Sequence, residues 1–305
     1  MKVLITGITG FIGSHLKEKI KGQKYGLVKF GDLPVKHKGY IPIHVDLRDY
    51  HALAKFIREI KPDTVIHLAG LTSVSQSFER PQDYFEINTI GTINLAEINL
   101  RDNPYLKKFI WAGTPEEYGI QEEFPIKEDV SLNPVSPYAV SKAATTKYLL
   151  YMHKAYNFPL VISRHANCYG RKSGEFQKLG VIENIITQMI KGKDIYLGEA
   201  NARRDFLHID DVLEWYNVLL KRGKSGQIYN AGWGRSYSIK EVTELAKEIL
   251  GFNGSIFWDS IPKRPGEIPR IELDASKARE ELGWEPKIKL REGLELLRDY
   301  WRKKI

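Results

Sequence analysis

Three glycines at three-residue spacing follow a short apolar run at the start of the chain. The run is Val3–Thr6, and the glycines are Gly7, Gly10 and Gly13. Gly7 allows a sharp exit from a strand, Gly10 allows the backbone to approach a pyrophosphate, and Gly13 allows a following helix to pack closely on the strand. The N–H groups that begin this helix would face the phosphates. The arrangement predicts a dinucleotide-binding turn, and a tight strand-to-helix turn without a ligand is the alternative.

An acidic residue supports the nucleotide interpretation. Asp32 follows the glycines by about 20 residues, where such folds place the carboxylate that binds the ribose. The carboxylate favours NAD because it would repel the 2′-phosphate of NADP. Lys36 and Lys38 lie just beyond it and could receive that phosphate, so NADP is the alternative.

The bulk composition excludes several classes of protein. The 305 residues contain no apolar stretch near the ~20 residues that a membrane helix requires, and the N-terminus leads directly into the first apolar run. Cys168 is the only cysteine, which excludes an intramolecular disulfide and a cysteine-based metal site. The net charge of +8 comes from basic residues interspersed with acids, which favours small anionic ligands over nucleic acid. We expect a cytoplasmic protein without a metal, membrane or nucleic-acid partner.

Strand and helix patterns alternate along the first half of the chain. Apolar runs typical of buried parallel strands lie at Val3–Thr6, Leu27–Phe30, Ile41–Val45, Thr64–Leu68, Phe109–Ala112 and Leu160–Ser163. Helical patterns lie between them at Ile12–Ile20, Tyr50–Ile60, Pro81–Asn99 and Pro137–Tyr156. The alternation predicts an α/β fold with a Rossmann-type doubly wound parallel sheet, which we assign to a cofactor domain at residues 1–165.

The rhythm changes after this point. Helical patterns at Ile182–Lys191, Asp210–Lys221, Ile239–Leu250 and Leu290–Tyr300 are separated by loops that contain glycine and proline. We expect a smaller mixed α/β substrate domain at residues 166–305, with some of its segments returning to pack on the sheet.

A tyrosine and a lysine share one face of the predicted helix Pro137–Tyr156. Ser136 is a typical N-cap and Pro137 a typical first helical residue, so Tyr138 and Lys142 lie one turn apart. A nearby ammonium and a cationic nicotinamide lower the pKa of a phenol from about 10 towards the range of a general base. The pair therefore predicts acid–base chemistry.

The spacing alone is not specific, because Tyr25 with Lys29 and Tyr300 with Lys304 share it. The setting distinguishes the helical pair. It follows the fifth predicted strand and Thr114, which lies where that strand should end. Ligands of doubly wound sheets bind outside the carboxyl ends of the strands.

These residues resemble the extended short-chain dehydrogenase/reductases that modify nucleotide sugars, and the resemblance covers nearly the whole chain. The matching elements, specific only in combination, are Thr6-Gly7-x-x-Gly10-x-x-Gly13, Asp46-Leu47-Arg48, His67-Leu68-Ala69-Gly70, Asn88 with Gly91-Thr92, Thr114-x-Glu116-x-Tyr118-Gly119, Ser136-Pro137-Tyr138 with Lys142, Asn167-x-Tyr169-Gly170, Arg204-Asp205-Phe206, Arg264-Pro265-Gly266-Glu267, and Lys277-Ala278 leading to Leu282-Gly283-Trp284.

The resemblance implies a site for NAD or NADP. The residues that it assigns to the cofactor are Gly7, Gly10, Phe11, Ile12 and Gly13 at the phosphates, Asp32 at the ribose, Asp46 and Leu47 at the adenine, Leu68 and Ala69 along the cleft, and Tyr138 and Lys142 at the nicotinamide end.

The resemblance also implies a nucleotide-diphosphate sugar as substrate. The residues that it assigns to substrate binding are Ser73, Asn88, Asn167, Arg204 and Arg264. Guanidinium groups suit a diphosphate, and surface ion pairing is the alternative for the two arginines.

The implied catalytic residues are Thr114, Glu116, Tyr138 and Lys142. Tyr138 as phenolate would remove the proton of the C4 hydroxyl while the C4 hydride passes to the nicotinamide, and Thr114 would donate a hydrogen bond to the oxygen. A 4-keto sugar results. An epimerase returns the hydride to the other face, a 4,6-dehydratase first eliminates water across C5 and C6, and a reductase performs only the final hydride delivery.

Glu116 is the residue that distinguishes between these reactions. A carboxylate beside the place of hydride transfer can act on C5. It resembles the Thr-x-Glu of GDP-mannose 4,6-dehydratases, as does the loop that begins Ser73-Val74. The paired Glu116-Glu117 also resembles 4-keto-6-deoxymannose reductases, and Pro115 stands where dTDP-glucose dehydratases have aspartate. We expect a 4,6-dehydratase of the GDP-mannose type. A reductase and then a UDP-sugar 4-epimerase are the alternatives.

Two further expectations concern partners. Relatives commonly form homodimers through the helices near Asn88 and Tyr148, so the resemblance implies a homodimer. The fold also serves proteins that bind NAD(P) without turnover, but the intact Thr114, Tyr138 and Lys142 argue against such a sensor.

Overall fold

The computed structural model describes residues 1–28, 39–171, 180–263 and 265–305. The strands in chain order are β1 Lys2–Thr6, β2 Gln23–Val28, β3 Ile41–His44, β4 Thr64–His67, β5 Lys108–Ala112, β6 Leu160–His165, β7 Asn167–Tyr169, β8 Ile195–Tyr196, β9 Arg203–His208, β10 Gln227–Ala231, β11 Ser236–Ser238, β12 Ile256–Phe257 and β13 Arg270–Ile271.

The α-helices in chain order are α1 Phe11–Lys19, α2 Tyr50–Ile60, α3 Val74–Glu79, α4 Pro81–Tyr84, α5 Gly91–Asp102, α6 Pro137–Tyr156, α7 Val181–Ile190, α8 Ile209–Arg222, α9 Ile239–Leu250, α10 Ser276–Leu282 and α11 Leu290–Arg302. A π-helical turn, Phe85–Ile90, joins α4 to α5, and a 3-10 turn, Pro115–Tyr118, follows β5. Within the described ranges, no helix is both long enough and apolar enough to cross a membrane.

Seven parallel strands form the central sheet in the order β10-β6-β5-β4-β1-β2-β3. Helices cover both faces: α1 and α8 contribute Leu16 and Trp215 to one hydrophobic core, and α2 and α6 contribute Leu53 and Leu149 to the other. The predicted Rossmann-type doubly wound fold is confirmed. The strand order changes direction between β1 and β4, and such a switch point opens a crevice at the carboxyl ends of the strands.

The helix patterns predict three elements to the residue, namely α2, α6 and α9. The predicted helix Pro81–Asn99 differs, because the π-helical turn interrupts it between α4 and α5. The predicted strand Leu27–Phe30 starts earlier in the structure, at Gln23, because β2 begins with exposed and half-buried polar residues that break the apolar run. Its last predicted residue, Phe30, lies outside the described residues.

The apolar-run criterion does not identify β10, the seventh strand of the sheet. Its sequence, Gln227–Ala231, contains Asn230, which is fully buried. Tyr118 donates its hydroxyl to Asn230 Oδ1 at 2.8 Å, and Asn230 Nδ2 donates to the Ile126 carbonyl at 2.9 Å. A buried amide is tolerated when its hydrogen bonds are made.

A second, smaller sheet lies in the later part of the chain. Its strand order is β11-β9-β13, and β7 also pairs with β9. β11 runs antiparallel to β9, whereas β7 and β13 run parallel to it. This mixed sheet places Asn167 at the start of β7 opposite Phe206 of β9.

We predict that Gly13→Ala lowers the free energy of unfolding by about 2–3 kcal/mol, the usual range for overpacking. A Cβ at Gly13 would lie 2.2 Å from the Gly7 carbonyl oxygen, which belongs to rigid backbone. Gly251→Ala is the control: its φ is +64° with nothing within 4 Å, so it incurs only backbone strain of about 1 kcal/mol. Urea unfolding of both variants measures the difference, and equal losses would contradict the packing argument.

Candidate active site

The glycine turn lies directly against the end of β4. Gly7 has φ +66°, and a Cβ there would lie 2.8 Å from the Ala69 nitrogen and 2.9 Å from the Leu68 carbonyl carbon. A Cβ at Gly13 would lie even closer to the backbone, 2.2 Å from the Gly7 carbonyl oxygen. Protein backbone therefore fills the space beside Gly7 and Gly13, so only glycine fits there, and this close packing of strand, turn and helix is typical of a dinucleotide-binding turn.

The N-terminus of α1 opens towards the same cleft. Gly10 is the N-cap, carries no side chain and is exposed. The N–H groups of Phe11, Ile12 and Gly13 belong to the first helical turn and have no acceptor within the helix. Such N–H groups and the helix dipole bind phosphate oxygens.

The predicted adenosine residues lie partly outside the described residues, since Asp32 is not among them. Asp46 accepts two hydrogen bonds from the Arg48 guanidinium, at 3.0 and 2.8 Å. Leu47 is buried, and its carbonyl accepts a hydrogen bond from Asn94 of α5 at 3.1 Å. This loop is thereby held between β3 and α5.

A buried histidine joins β1 to the helix that carries Asn88. Thr92 Oγ1 donates to the Asn88 carbonyl at 2.6 Å, so its oxygen can only accept from His67 Nε2, at 2.8 Å. His67 Nδ1 then accepts from Thr6 Oγ1 at 2.5 Å, and this hydroxyl accepts the Ala69 N–H at 3.1 Å. Burial, assisted by the charge of Lys142, lowers the pKa of His67 to about 3, so the ring is neutral.

Asn88 connects this series of hydrogen bonds to helix α6. Its side chain accepts the Leu71 N–H at 2.8 Å and donates to the Leu71 carbonyl at 3.0 Å and to Ser141 Oγ at 3.2 Å. Ser141 Oγ donates in turn to the Tyr138 carbonyl at 2.7 Å. The structure thus places Asn88 behind the site wall, bonded to protein groups.

Ser73 and Tyr84 support one side of the Tyr138 ring. Ser73 caps α3, and its carbonyl accepts the Tyr84 hydroxyl at 2.6 Å. The Tyr84 ring packs edge-on against Tyr138, with centroids 6.2 Å apart. Aromatic packing of this kind fixes ring orientation.

Tyr138 is brought to Thr114 and Glu116, as the sequence predicts. Burial raises the pKa of Tyr138 well above its usual range, a hydrogen bond with Thr114 lowers it, and the charge of Glu116 raises it. Glu116 is half-buried on the 3-10 turn, and its N–H donates to Thr114 Oγ1 at 3.3 Å. A phenol in this state needs a nearby positive charge to act as a base.

Lys142 lies one turn further along α6. Its ammonium donates to the Ala112 carbonyl at 2.5 Å and lies 4.4 Å from the centroid of the Trp111 ring. Burial lowers the pKa of Lys142 to about 8, and the charge of Glu117 opposes this shift.

Three residues that sequence reasoning did not assign lie behind Thr114. Glu117 Oε1 accepts the Thr114 N–H at 2.8 Å, and its Oε2 accepts from Arg164 at 2.7 Å and from Thr146 Oγ1 at 2.5 Å. The sequence contains one signal for the role of Glu117. Thr114-x-x-Glu117 is the pattern of a capping box, and the structure contains that motif.

The predicted phosphate-binding residues have different surroundings. Asn167 is exposed at the start of β7. Arg204 is buried, donates to the Ile268 carbonyl at 2.8 Å and pairs with Glu267. Arg264 lies outside the described residues. Arg204 therefore holds the segment that follows Arg264.

Comparisons with known proteins match the whole fold. A family model described as GDP-mannose 4,6 dehydratase matches residues 4–297. A putative UDP-glucose 4-epimerase from Methanocaldococcus jannaschii is 33% identical over 299 residues, which cover 96% of this chain and 95% of the relative. A GDP-6-deoxy-D-mannose reductase from Pseudomonas aeruginosa is 28% identical over 309 residues, which cover 100% and 98%.

Solved structures agree. A UDP-glucose 4-epimerase from Thermus thermophilus in complex with NAD superposes with a TM-score of 0.91 at 31% identity, covering 100% of both chains. A Pseudomonas aeruginosa protein complexed with NADPH gives a TM-score of 0.83 at 28% identity, covering 100% of this chain and 99% of the other. The cofactor of this fold is NAD(P).

We predict that His67 makes the protein less stable as the pH falls. The pKa of His67 is about 3 in the folded chain against 6.5 for the free side chain, so the unfolded chain binds the extra proton between these values. Stability then falls with decreasing pH by at most about 1.4 kcal/mol per pH unit. Urea unfolding of His67→Gln between pH 6.5 and 4 should show a shallower slope. The exposed His51→Gln control should keep the wild-type slope, and equal slopes in both variants would refute the prediction.

Proposed function

Since the chain belongs to the GDP-mannose 4,6-dehydratase family of extended short-chain dehydrogenase/reductases, which act on nucleotide sugars with NAD(P), we propose that it is itself a 4,6-dehydratase of the GDP-mannose type. The observation that supports this reaction most directly is the placement of Glu116. Its half-buried carboxylate lies close enough to Tyr138 for its charge to raise the pKa of that phenol.

The first step is oxidation at C4. NAD(P), when bound at the glycine turn, accepts the C4 hydride and later returns it. Tyr138 as phenolate takes the proton of the C4 hydroxyl, and Lys142 stabilises the phenolate with its positive charge. Thr114 donates its hydroxyl to the developing carbonyl oxygen. The product is a 4-keto sugar.

The second step is elimination of water across C5 and C6. The 4-keto group acidifies the C5 proton, and Glu116 removes it as the C6 hydroxyl departs. The protonated Glu116 gives its proton to this leaving group, so one water is released. Return of the hydride to C6, with transfer to C5 of the proton that Tyr138 took from the C4 hydroxyl, completes a 4-keto-6-deoxy sugar and restores the phenolate.

Other residues bind the substrate and the adenosine of the cofactor. Arg264 and the exposed Asn167 bind the diphosphate and its sugar, Ser73 lies near the sugar, and Arg204 positions the loop through Glu267. Asp32 binds the adenosine ribose and favours NAD over NADP, while Asn88 acts by holding Leu71 and Ser141.

A UDP-sugar 4-epimerase is the second candidate. Both the 33% identical relative and the structure with a TM-score of 0.91 are named UDP-glucose 4-epimerases. An epimerase shares the C4 oxidation and leaves Glu116 without a chemical role. The reductase, which was the first alternative on sequence alone, becomes the third candidate, with the same site used only for hydride delivery.

We also propose a homodimer through α5 and α6. Large apolar side chains of this region are exposed, including Ile90 and Tyr151 at 51% and Tyr156 at 54%. Tyr151 and Tyr156 form an aromatic pair with centroids 5.9 Å apart. Exposed apolar groups gathered on neighbouring helices are typical of an interface.

Two substitutions test the proposed reaction. Tyr138→Phe should lower C4 oxidation by at least about 100-fold, because the base is lost. Glu116→Gln should still oxidise C4 and accumulate reduced cofactor with GDP-mannose, but it should not release water. Cofactor absorbance and mass spectrometry of the sugar nucleotide measure the two steps. Tyr300→Phe, which has the same spacing to Lys304, is the control and should behave as wild type.

The same assay distinguishes the candidates. Loss of one water from GDP-mannose without added reductant supports the dehydratase. A new C4 epimer of UDP-glucose at unchanged mass supports the epimerase, and reduction of a 4-keto-6-deoxy sugar with NADPH supports the reductase. Normal dehydration by Glu116→Gln would refute the assignment of Glu116 as base.

For the dimer, Tyr151→Glu should shift the protein to a monomer in light scattering, because it places a charge in the proposed interface. Tyr196→Glu changes a tyrosine of similar exposure, 55%, on β8 and should leave the assembly unchanged. A wild-type monomer would refute the proposal.

A further inference from the structure

Glu117 is a fully buried carboxylate directly behind the reaction site. Both of its oxygens accept hydrogen bonds: Oε1 from the Thr114 N–H, and Oε2 from Thr146 and Arg164. Arg164 is itself only 1% exposed. A buried ion pair with these hydrogen bonds resists rearrangement, since breaking a bond to Glu117 leaves a further buried polar group unsatisfied.

This arrangement controls where the Thr114 hydroxyl points. The Glu116 N–H donates to Thr114 Oγ1, so that oxygen already accepts one hydrogen bond. The hydroxyl proton is then available to donate into the site, beside Tyr138, whose pKa Thr114 lowers. Glu117 maintains this orientation because it holds the Thr114 backbone in the capping box of the 3-10 turn.

We propose that Glu117 is a positioning residue for C4 oxidation: anchored by Arg164 and Thr146, it aims the Thr114 hydroxyl into the reaction site beside Tyr138 and places a fixed negative charge behind Tyr138 and Lys142. The inference rests on the proposed C4 chemistry, but the placement of Glu117 can be tested without a substrate.

The charge of Glu117 acts on both members of the pair. It raises the pKa of Tyr138 and that of Lys142. Glu116 and Tyr84 also face Tyr138, and each raises its pKa.

Lys142 has a different set of neighbours. The rings of His67 on β4 and His165 on β6 lie within its electrostatic reach, and burial lowers the pKa of both histidines. Glu117 is the carboxylate that opposes the effect of burial on Lys142. Glu117 and Glu116 should therefore leave different signatures in a pH profile.

The first variant is Glu117→Gln, which keeps an acceptor for the Thr114 N–H and removes the charge. Both limbs of the pH profile of kcat for C4 oxidation should move to lower pH, because Tyr138 and Lys142 both lose the negative charge that raised their pKa. Glu116→Gln should move only the limb that reports Tyr138. Unshifted limbs in Glu117→Gln would overturn the electrostatic part of the proposal.

The second variant is Thr146→Val, which removes one support of Glu117 and leaves every charge in place. We expect kcat to fall by about 10-fold, with little change in KM, because Thr114 is less well aimed. Thr243→Val, on α9, removes an equally buried threonine hydroxyl that bonds to Ile239, and it measures the loss of stability alone. Equal kcat values in the two variants would overturn the positioning role.

One measurement does not depend on the substrate. Nuclear magnetic resonance of carbon-labelled lysine, with Lys142→Met for assignment, should show Lys142 titrating near its pKa of about 8 in the wild type. Glu117→Gln should lower that midpoint, and an unchanged midpoint would overturn the placement of Glu117. If no nucleotide sugar is turned over, the proposed function fails while this titration still decides the inference.

If Glu117→Gln does not fold, the double variant Glu117→Leu with Arg164→Met removes both buried charges together and replaces the single variant. It should lower the Lys142 midpoint in the same direction. Retention of the wild-type midpoint and kcat would overturn the proposal.

Discussion

The hydrogen bond between Thr6 and His67 connects the two halves of the site. It joins β1 and β4 at the switch point of the sheet, and the chain continues through Thr92 and Asn88. Every member is buried, so each unmade hydrogen bond would cost about 1–3 kcal/mol. The glycine turn and helix α6 are thus held in one rigid unit. A cofactor and a base that act on the same substrate require such a fixed geometry.

The two adjacent glutamates show how environment divides the roles of identical side chains. Glu117 is withdrawn into an ion pair with Arg164, while Glu116 remains half-buried beside Tyr138. Both oxygens of Glu117 are occupied by three hydrogen bonds, including one from a buried guanidinium, so this carboxylate is turned away from the substrate. Glu116 instead lies where its charge acts on Tyr138, which is the position that a proton-transferring group needs. The pair, which in sequence resembles that of the reductases, therefore contains at most one candidate base.

Sequence reasoning predicted the parts of this site that local pattern determines. The glycine spacing predicted the turn, and the N-cap Ser136 with Pro137 predicted the helix that places Tyr138 four residues before Lys142. It did not predict β10, because the burial of Asn230 depends on Tyr118 and Ile126 from a distant loop. Arg204 was expected to bind phosphate, and its ion pair with Glu267 depends equally on a contact between distant segments. Partners that lie far apart in the chain leave no local pattern to read.

This distinction also explains why similarity of fold does not decide the reaction. In the proposed function, the turn, the buried histidine chain and the Tyr138–Lys142 pair serve C4 oxidation, and the epimerase, dehydratase and reductase candidates all use hydride transfer at this centre. A TM-score of 0.91 to an epimerase measures that shared framework. The reactions diverge at C5, where a single carboxylate on one 3-10 turn is enough to add elimination of water. In this chain Pro115 begins the turn and the capping box closes it, so the backbone of Glu116 is held by the same element that holds Thr114. Thr114, proposed for oxidation, and Glu116, proposed for elimination, therefore lie together on one short turn. This arrangement favours a dehydratase over an epimerase, in which Glu116 would have no role.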